Sequence, residues 1–202
     1  MNKKTESPLP KNIRLDYRVI CDLIKANSRV LDLGCGNGDL LSVLIKYKNC
    51  KATGVEIDEQ AIYQCMAKGL TVSHGDINSG LIEYADKRFD YVILNESLQE
   101  MLDPQKAILE ALRVGKKVIV GIPNFCHWNA RVQIFFNGRV PVTKELPYEW
   151  YNTPNLRFFS LKDFRAFCQV NGIKIITKRA ISRRHEIPLL SNLFAHIGIF
   201  LL

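Results

Sequence analysis

The sequence predicts an α/β fold: a mostly parallel sheet covered by helices on both faces, with the last strand running antiparallel. Three observations lead there. Short, continuously apolar runs alternate with helix-period segments through the first two-thirds of the chain, as expected of strands buried on both sides. A glycine cluster, Gly34, Gly36 and Gly38, closes the first of these runs at a strand-to-helix turn. Two further strand candidates near the C-terminus, able to pair antiparallel, bring the sheet to seven strands.

Taken in chain order, the elements begin with a helix. Leu15, Val19, Ile20, Leu23 and Ile24 recur at helical spacing and predict a helix packed across the sheet. Arg29 to Leu33 is the first buried strand, and Leu40 to Lys46 the helix after it. Lys51 to Ile57 is the second strand; Glu59 to Lys68 is helical, with Gly69 as its stop. Leu70 to Ser73 and Phe89 to Leu94 are the third and fourth strands. Pro104 to Arg113 is a helix with proline in its first turn and Gly115 past its end. Lys117 to Ile122 is the fifth strand, stopped by Pro123. Ser160 to Asn171 is amphipathic, with Leu161, Phe164 and Phe167 on one face. Ile173 to Ala180 is strand-like and should pair antiparallel with a buried strand formed within residues 189–202.

The 202 residues, 47% hydrophobic and 24% charged, fit a folded globular chain rather than a disordered or fibrous one. We expect a single domain over 1–202 with an insertion or cap at about 123–160. No apolar run reaches the roughly 18 residues of a membrane helix. The run from Leu189 to Leu202 is interrupted by Ser191, Asn192 and His196, and Met1 to Glu6 lead into Pro8 and Pro10 without the apolar core of a secretory signal. Six scattered cysteines without Cys-x-x-Cys or a zinc-spaced His pair predict reduced thiols, a cytoplasmic protein and no metal. The net charge of +8 is compatible with nucleic acid, an acidic partner or an anionic small molecule, or simply with a solvated basic surface; no long Lys/Arg block concentrates it.

The loop Asp32-Leu33-Gly34-Cys35-Gly36-Asn37-Gly38 selects among ligands. A dinucleotide fingerprint would need its third glycine one residue later, where Asp39 stands, and a phosphate-binding P-loop would need Gly-Lys-Ser/Thr. Asp-x-Gly-x-Gly-x-Gly instead resembles motif I of the class I S-adenosylmethionine (SAM) methyltransferases, a Rossmann-like fold. Glu56 ends the next strand, where a carboxylate can accept ribose hydroxyls. Gly75-Asp76-Ile77 ends the third strand, where that family reads the adenine amino group, and Phe89 to Asn95 is similar to its fourth. The resemblance implies SAM or S-adenosylhomocysteine bound by Asp32, Gly34, Gly36, Gly38, Glu56, Ile57, Asp76, Ile77 and Asn95. Asp32 suits an ammonium group and would repel a pyrophosphate.

A stretch from 123 to 160 is more than a minimal sheet needs, and loops beyond about 15 residues are usually functional or disordered. This one holds Phe125, Trp128, Phe135, Phe136, Tyr148, Trp150 and Tyr151, interleaved with His127, Arg131, Arg139 and Arg157. Aromatic and Arg enrichment predicts a lid or docking surface, with a plain cap over the strand ends as the alternative. Pro123 to Arg131, Gly138 to Thr143 and Leu146 to Asn155 closely resemble the MetW family of methionine biosynthesis proteins, as do Val30 to Gly38, Gly54 to Asp58 and Ser97-Leu98-Gln99. That resemblance implies an accessory partner of a homoserine O-acyltransferase (acetyl or succinyl).

Catalytic signals are sparse. Asn95-Glu96-Ser97-Leu98 lacks the Pro-Pro-Tyr/Phe of base and amide methyltransferases. Glu100 stands roughly where many small-molecule methyltransferases place a histidine. His127, Glu100 and Cys126 can each be weighed as a base or nucleophile, but each has an ordinary structural alternative, and no catalytic residue is assigned. The expected function is a SAM-binding accessory or regulatory partner of the acyltransferase; a SAM-dependent methyltransferase acting on a small molecule is the alternative. A nucleic-acid substrate is disfavoured, since no RNA-binding module is evident.

Overall fold

Continuous apolar runs become the strands β1 (Arg29–Leu33), β2 (Lys51–Glu56), β3 (Thr71–His74), β4 (Tyr91–Asn95) and β5 (Val118–Pro123), with β6 (Thr177–Ile181) and β7 (Ile197–Leu201) completing one sheet in the order β3-β2-β1-β4-β5-β7-β6. The computed structural model describes residues 9–10, 12–143 and 146–202; the N-terminal stretch 1–6, expected to lack a leader, lies outside them. β1 through β5 are parallel to one another, while β7 runs antiparallel between β5 and β6.

Alternation along the strands divides the core into two. Val30, Ile93, Ile119 and Ile199 face α1 (Leu15–Leu23) and α2 (Asp39–Lys48); Leu31, Leu33, Val92, Val118 and Phe200 face α4 (Pro104–Val114) and α6 (Leu161–Val170). Successive strand residues point to opposite faces, so a sheet covered twice needs apolar residues at every position. Local chemistry sets the helix ends. Asp103 caps α4 by accepting from the Lys106 amide at 2.9 Å, with Pro104 at the first helical position. Ser160 and Asp163 form a reciprocal capping box on α6. Asp58 caps α3 (Glu59–Ala67) through the Gln60 amide.

Two expectations need correction. The strand placed at Ile173 to Ala180 begins only at Thr177. Gly172 turns with φ 66°, the Ile173 amide closes back on Cys168 O, and Ile173 and Ile175 pack against the core without joining a ladder. Within 189–202 the strand is Ile197–Leu201 alone. Leu189 and Leu190 are exposed, and a short helix, α7 (Ser191–Phe194), precedes the strand because β5 and β6 offer partners only as far as Pro123 and Ile181. β7 does pair antiparallel with β6, as expected, but it is also inserted against β5. The segment 123–160 contains α5 (Trp128–Asn137), capped by His127 and ended by Gly138 in the left-handed conformation.

Candidate functional site

The order of strands reverses between β1 and β4, and in open α/β sheets ligands bind outside the strand ends at such a switch. Register fixes what stands there. Asp32 lies between Gly54 of β2 and Ile93 of β4, Glu56 beside His74, and Asn95 beside Gly121. The glycine loop turns toward β2, with the Gly34 and Cys35 amides both donating to Val55 O. Its glycines have different reasons. A side chain on Gly34 would come within 3.0 Å of Ser97 Cβ, and one on Gly38 within 2.4 Å of Leu70 and 2.8 Å of Cys65 Sγ. Gly36, with φ 52°, faces open space within 4 Å, the free backbone surface that a ligand needs for close approach.

Glu56 is held from three sides. Its Oε2 accepts the Gly36 amide at 2.7 Å, and its Oε1 accepts the Ile57 and Asp58 amides at 2.8 and 3.0 Å. A carboxylate has about four acceptor positions, so hydroxyl-accepting capacity remains on a group whose orientation is already fixed.

Asp32 is 2% exposed and accepts no hydrogen bond from the described residues. Burial, and then the charge of Glu56, push its carboxyl up to about 7 from the usual 3.8. Glu100, in the turn Leu98–Glu100, is also raised, by burial and then by Glu56 and Glu96. No cation among the described residues offsets either group. By contrast, the first residues of α1 are neutralised. Arg14 grips Asp16 through two bonds, reaches Glu96, and lies 4.6 Å from the Tyr17 ring centre. Burial opposes the Arg14 charge, but Asp16 holds the guanidinium more firmly protonated than usual. Burial, and then the charges of Asp16, Asp32 and Asp39 against that of Arg14, raise the Tyr17 hydroxyl to about 12.

The structure brings Asp32, Gly34, Gly36, Glu56 and Ile77 together: Ile77 Cδ1 lies 3.9 Å from where a Gly34 side chain would begin. Asp76 is exposed at the head of the turn after β3, and Ile57 is exposed at the rim. Gly38 serves the packing of α3 and β3. Asn95 turns elsewhere. Its Nδ2 donates to Asp16 at 3.1 Å and its Oδ1 is buried against Gly121, so it anchors α1 to β4. Asp16, Tyr17 and Ser97 escape sequence reasoning; the one available signal is a buried acid, Asp16, in the first turn of an apolar helix. Ser97 Oγ is buried beside Gly34 without a hydrogen-bond partner among the described residues.

His127 accepts the Asn129 amide through Nδ1 and stacks on His196 with ring centres 4.1 Å apart, the role of a cap and packing residue. Among the described residues, no group of acidic, His or Cys side chains could hold a metal ion, and no helix is long and apolar enough to cross a membrane.

The segment over the strand ends is anchored at one end. Leu156 and Arg157 amides both donate to Gln99 O, and the Arg157 guanidinium donates to Leu102 O at 3.0 Å. Arg157 therefore pins the segment and borders an apolar cleft of about 490 Å³ with Leu98, Ile108, Phe159 and Phe164, distinct from the glycine loop. Farther out the aromatics are bare: Phe135 is 81% exposed, Phe136 75%, Trp150 72% and Tyr151 69%. Only Ala130 of α5 is buried.

The profile of the family described as "Methionine biosynthesis protein MetW" matches residues 14–202. A relative in Rhodopirellula baltica, called bifunctional methionine biosynthesis protein MetXA/MetW, is 36% identical over 173 residues, 80% of this chain and 28% of that protein. A 27-O-demethylrifamycin SV methyltransferase of Amycolatopsis mediterranei is 29% identical over 97 residues, 45% of this chain and 36% of that one. The chain thus spans about a third of the length of the curated relatives it matches. Among solved structures, a SAM-dependent methyltransferase from Archaeoglobus fulgidus superposes with a TM-score of 0.65 at 16% identity, covering 92% of this chain and 90% of that one. Another, from Thermotoga maritima, gives 0.65 at 19%, covering 92% and 86%. The fold is that of the class I SAM methyltransferases.

Proposed function

The chain belongs to the MetW family of methionine biosynthesis proteins, and from that membership we propose that it is a SAM-binding subunit that supports a homoserine O-acyltransferase in the cytoplasm. The observation that carries the ligand is Asp32, a buried carboxylate with no cation among the described residues, beside a glycine whose outer face is open. A zwitterion with an ammonium group supplies the missing charge. Asp32 would face that ammonium, Glu56 would accept ribose hydroxyls, and Asp76 with Ile77 would meet the adenine. SAM or S-adenosylhomocysteine fits these groups; a pyrophosphate would meet Asp32, Glu56 and Glu100 with like charge. When bound, SAM supplies a methyl group on a positively charged sulfur.

The partner is supported by the Rhodopirellula relative, whose name joins MetXA and MetW in one polypeptide. The bare aromatics of residues 135–151, with Arg139 among them, offer a surface of the composition that dominates interface hot spots. Co-expression with the acyltransferase, affinity capture, and acyl-transfer assays with and without SAM test the proposal. It predicts co-purification and an activity that depends on this chain and responds to SAM. Lack of association, with SAM present or absent, refutes the partnership.

Glu100 favours a second reading. An accessible carboxyl raised by its surroundings, near the cleft, is a group able to move a proton at Oε during methyl transfer to a small molecule. Transfer of label from methyl-labelled SAM into a small-molecule extract, lost in Glu100→Gln, supports that reading; absence of label transfer sinks it.

A further inference from the structure

Resting on the reading of the glycine-loop cleft as a SAM site, we infer that the cleft selects ligands by charge, binding the sulfonium form (SAM) in preference to its neutral thioether product (S-adenosylhomocysteine), with Glu100 as the discriminating residue. Both ligands share the ammonium, carboxylate, ribose and adenine. They differ by one methyl and one positive charge, so discrimination requires a field at the sulfur.

The distribution of charge supplies that field. The chain carries a net +8, with 28 Lys and Arg against 20 Asp and Glu, and several acids outside the cleft are met by basic partners. Asp90 pairs with Arg29 and Lys116, Glu110 with Arg113, and Asp16 with Arg14. The cleft acids differ from these. Asp32 is almost wholly buried and accepts no hydrogen bond from the described residues. The carboxylate of Glu100 has no ion pair or hydrogen bond among them, and it lies within the field of Glu56 and Glu96, both acids. Glu56 is common to both, raising the Asp32 and the Glu100 carboxyl alike. Its own carboxylate is locked by the Gly36, Ile57 and Asp58 amides and does not swing away. Glu96 is the exception, since Arg14 binds it and reduces what it contributes.

The topology then places these charges relative to the shared parts of the ligand. Asp32 ends β1 and Glu56 ends β2, on the side assigned to the ammonium and the ribose. Glu100 ends the turn that Ser97 opens after β4; Ser97 Cβ lies 3.0 Å from where a Gly34 side chain would begin, so this turn borders the glycine loop from the β4 side, away from β2. A ligand spanning from β2 across the Gly36 opening runs between these carboxylates. A cation there gains from all three acids in an interior where attraction is less screened than in water. A neutral sulfur gains nothing and leaves Glu100 facing two acids. The consequence for regulation is direct: a subunit with this preference reports the level of the methylated sulfonium rather than the sum of both forms.

Calorimetric titration of the purified full-length chain with SAM, S-adenosylhomocysteine and sinefungin tests this. Sinefungin replaces the sulfonium by an amine-bearing carbon and is cationic at neutral pH. The expected result is SAM and sinefungin each bound at least tenfold more tightly than S-adenosylhomocysteine. Glu100→Gln should lower that preference to threefold or less by weakening the two cations, with S-adenosylhomocysteine unchanged. Glu100 is accessible at the end of a short turn, so the variant should melt as wild type does, and a thermal melt checks this. Equal or tighter binding of S-adenosylhomocysteine by wild type overturns the inference while leaving the SAM site intact. A preference that survives Glu100→Gln removes Glu100 from it. Binding of none of the three ligands removes the underlying site and the inference with it.

Discussion

Replacing Glu56 by glutamine keeps the side chain's shape and removes its charge, and the cost can be worked out from its hydrogen bonds. The carboxylate accepts from Gly36 on one oxygen and from Ile57 and Asp58 on the other. A carboxamide has one acceptor oxygen. If that oxygen stays with Ile57 and Asp58, its NH2 group confronts the Gly36 N–H; if it flips, the NH2 confronts two donors instead. The first orientation is the cheaper, and water can reach the half-exposed Gly36 side, so folding loses about 1 kcal/mol. The ligand loses more. A hydroxyl bonded to a charged acceptor contributes about 1.5–3 kcal/mol, so SAM affinity should fall between roughly tenfold and a little over a hundredfold. A second consequence separates this from simple loosening of the loop. Glu56 is one of the two causes that raise the Asp32 carboxyl to about 7, so in Glu56→Gln the Asp32 titration should move down. Calorimetry gives the first quantity and carbon-detected carboxyl titration by NMR the second. An affinity within twofold of wild type, with Asp32 titrating unchanged, refutes the placement of Glu56 in the cleft.

Four other perturbations act on particular contacts. Folded Asp32 retains a proton that the unfolded chain has released between pH 3.8 and about 7, so its contribution to stability is lost as pH rises through that window; Asp32→Asn should remove this part of the slope in denaturant melts, and an unchanged slope counts against it. Gly121→Ala would put a methyl 2.0 Å from Asn95 Oδ1, and the overpacking should cost about 1–3 kcal/mol in chemical unfolding; unchanged stability would mean the strand ends move freely. Phe200→Ala empties a fully buried site against Phe164, whose ring centre is 4.7 Å away, at about 3–5 kcal/mol; a midpoint shifted by less than about 1 kcal/mol contradicts the packing. Trp150→Ala should leave melting and SAM affinity as they are and weaken acyltransferase binding by about 2 kcal/mol; a loss of SAM affinity instead makes Trp150 a lid.

The centre of the sheet can be read from residues because β1, β2, β4 and β5 are largely apolar runs stopped by glycine, proline or an acid at or just past their ends, and burial on both faces leaves little alternative placement. Asp32 and Glu56 are legible for the same reason: their position at strand ends is a property of local sequence. Other parts depend on distant partners. Asp16 meets Asn95 across 79 positions of chain, and nothing near either residue announces the contact. α5 is hard to read because its apolar residues point outward in several directions and it buries only Ala130, so it shows no stripe; His127 and Gly138 at its ends are the available signs. Ile173 and Ile175 alternate like strand residues and do face the core, but hydrogen-bonding partners, invisible to a pattern, start only at Thr177.

The three amides that hold Glu56 carry a consequence for the protein before any ligand arrives. Where a ligand loop orders only when the guest binds, that ordering opposes binding. Here an internal anion has already gathered the donors of Gly36, Ile57 and Asp58. Those amides should exchange with deuterated water slowly even without ligand, and their protection should change little when it binds. Association should then proceed in one fast phase, limited by encounter rather than by rearrangement of the cradle. The glycine loop, by composition the most pliable part of the chain, is thus held from the neighbouring strand, by Val55 O at Gly34 and Cys35 and by the Glu56 carboxylate at Gly36.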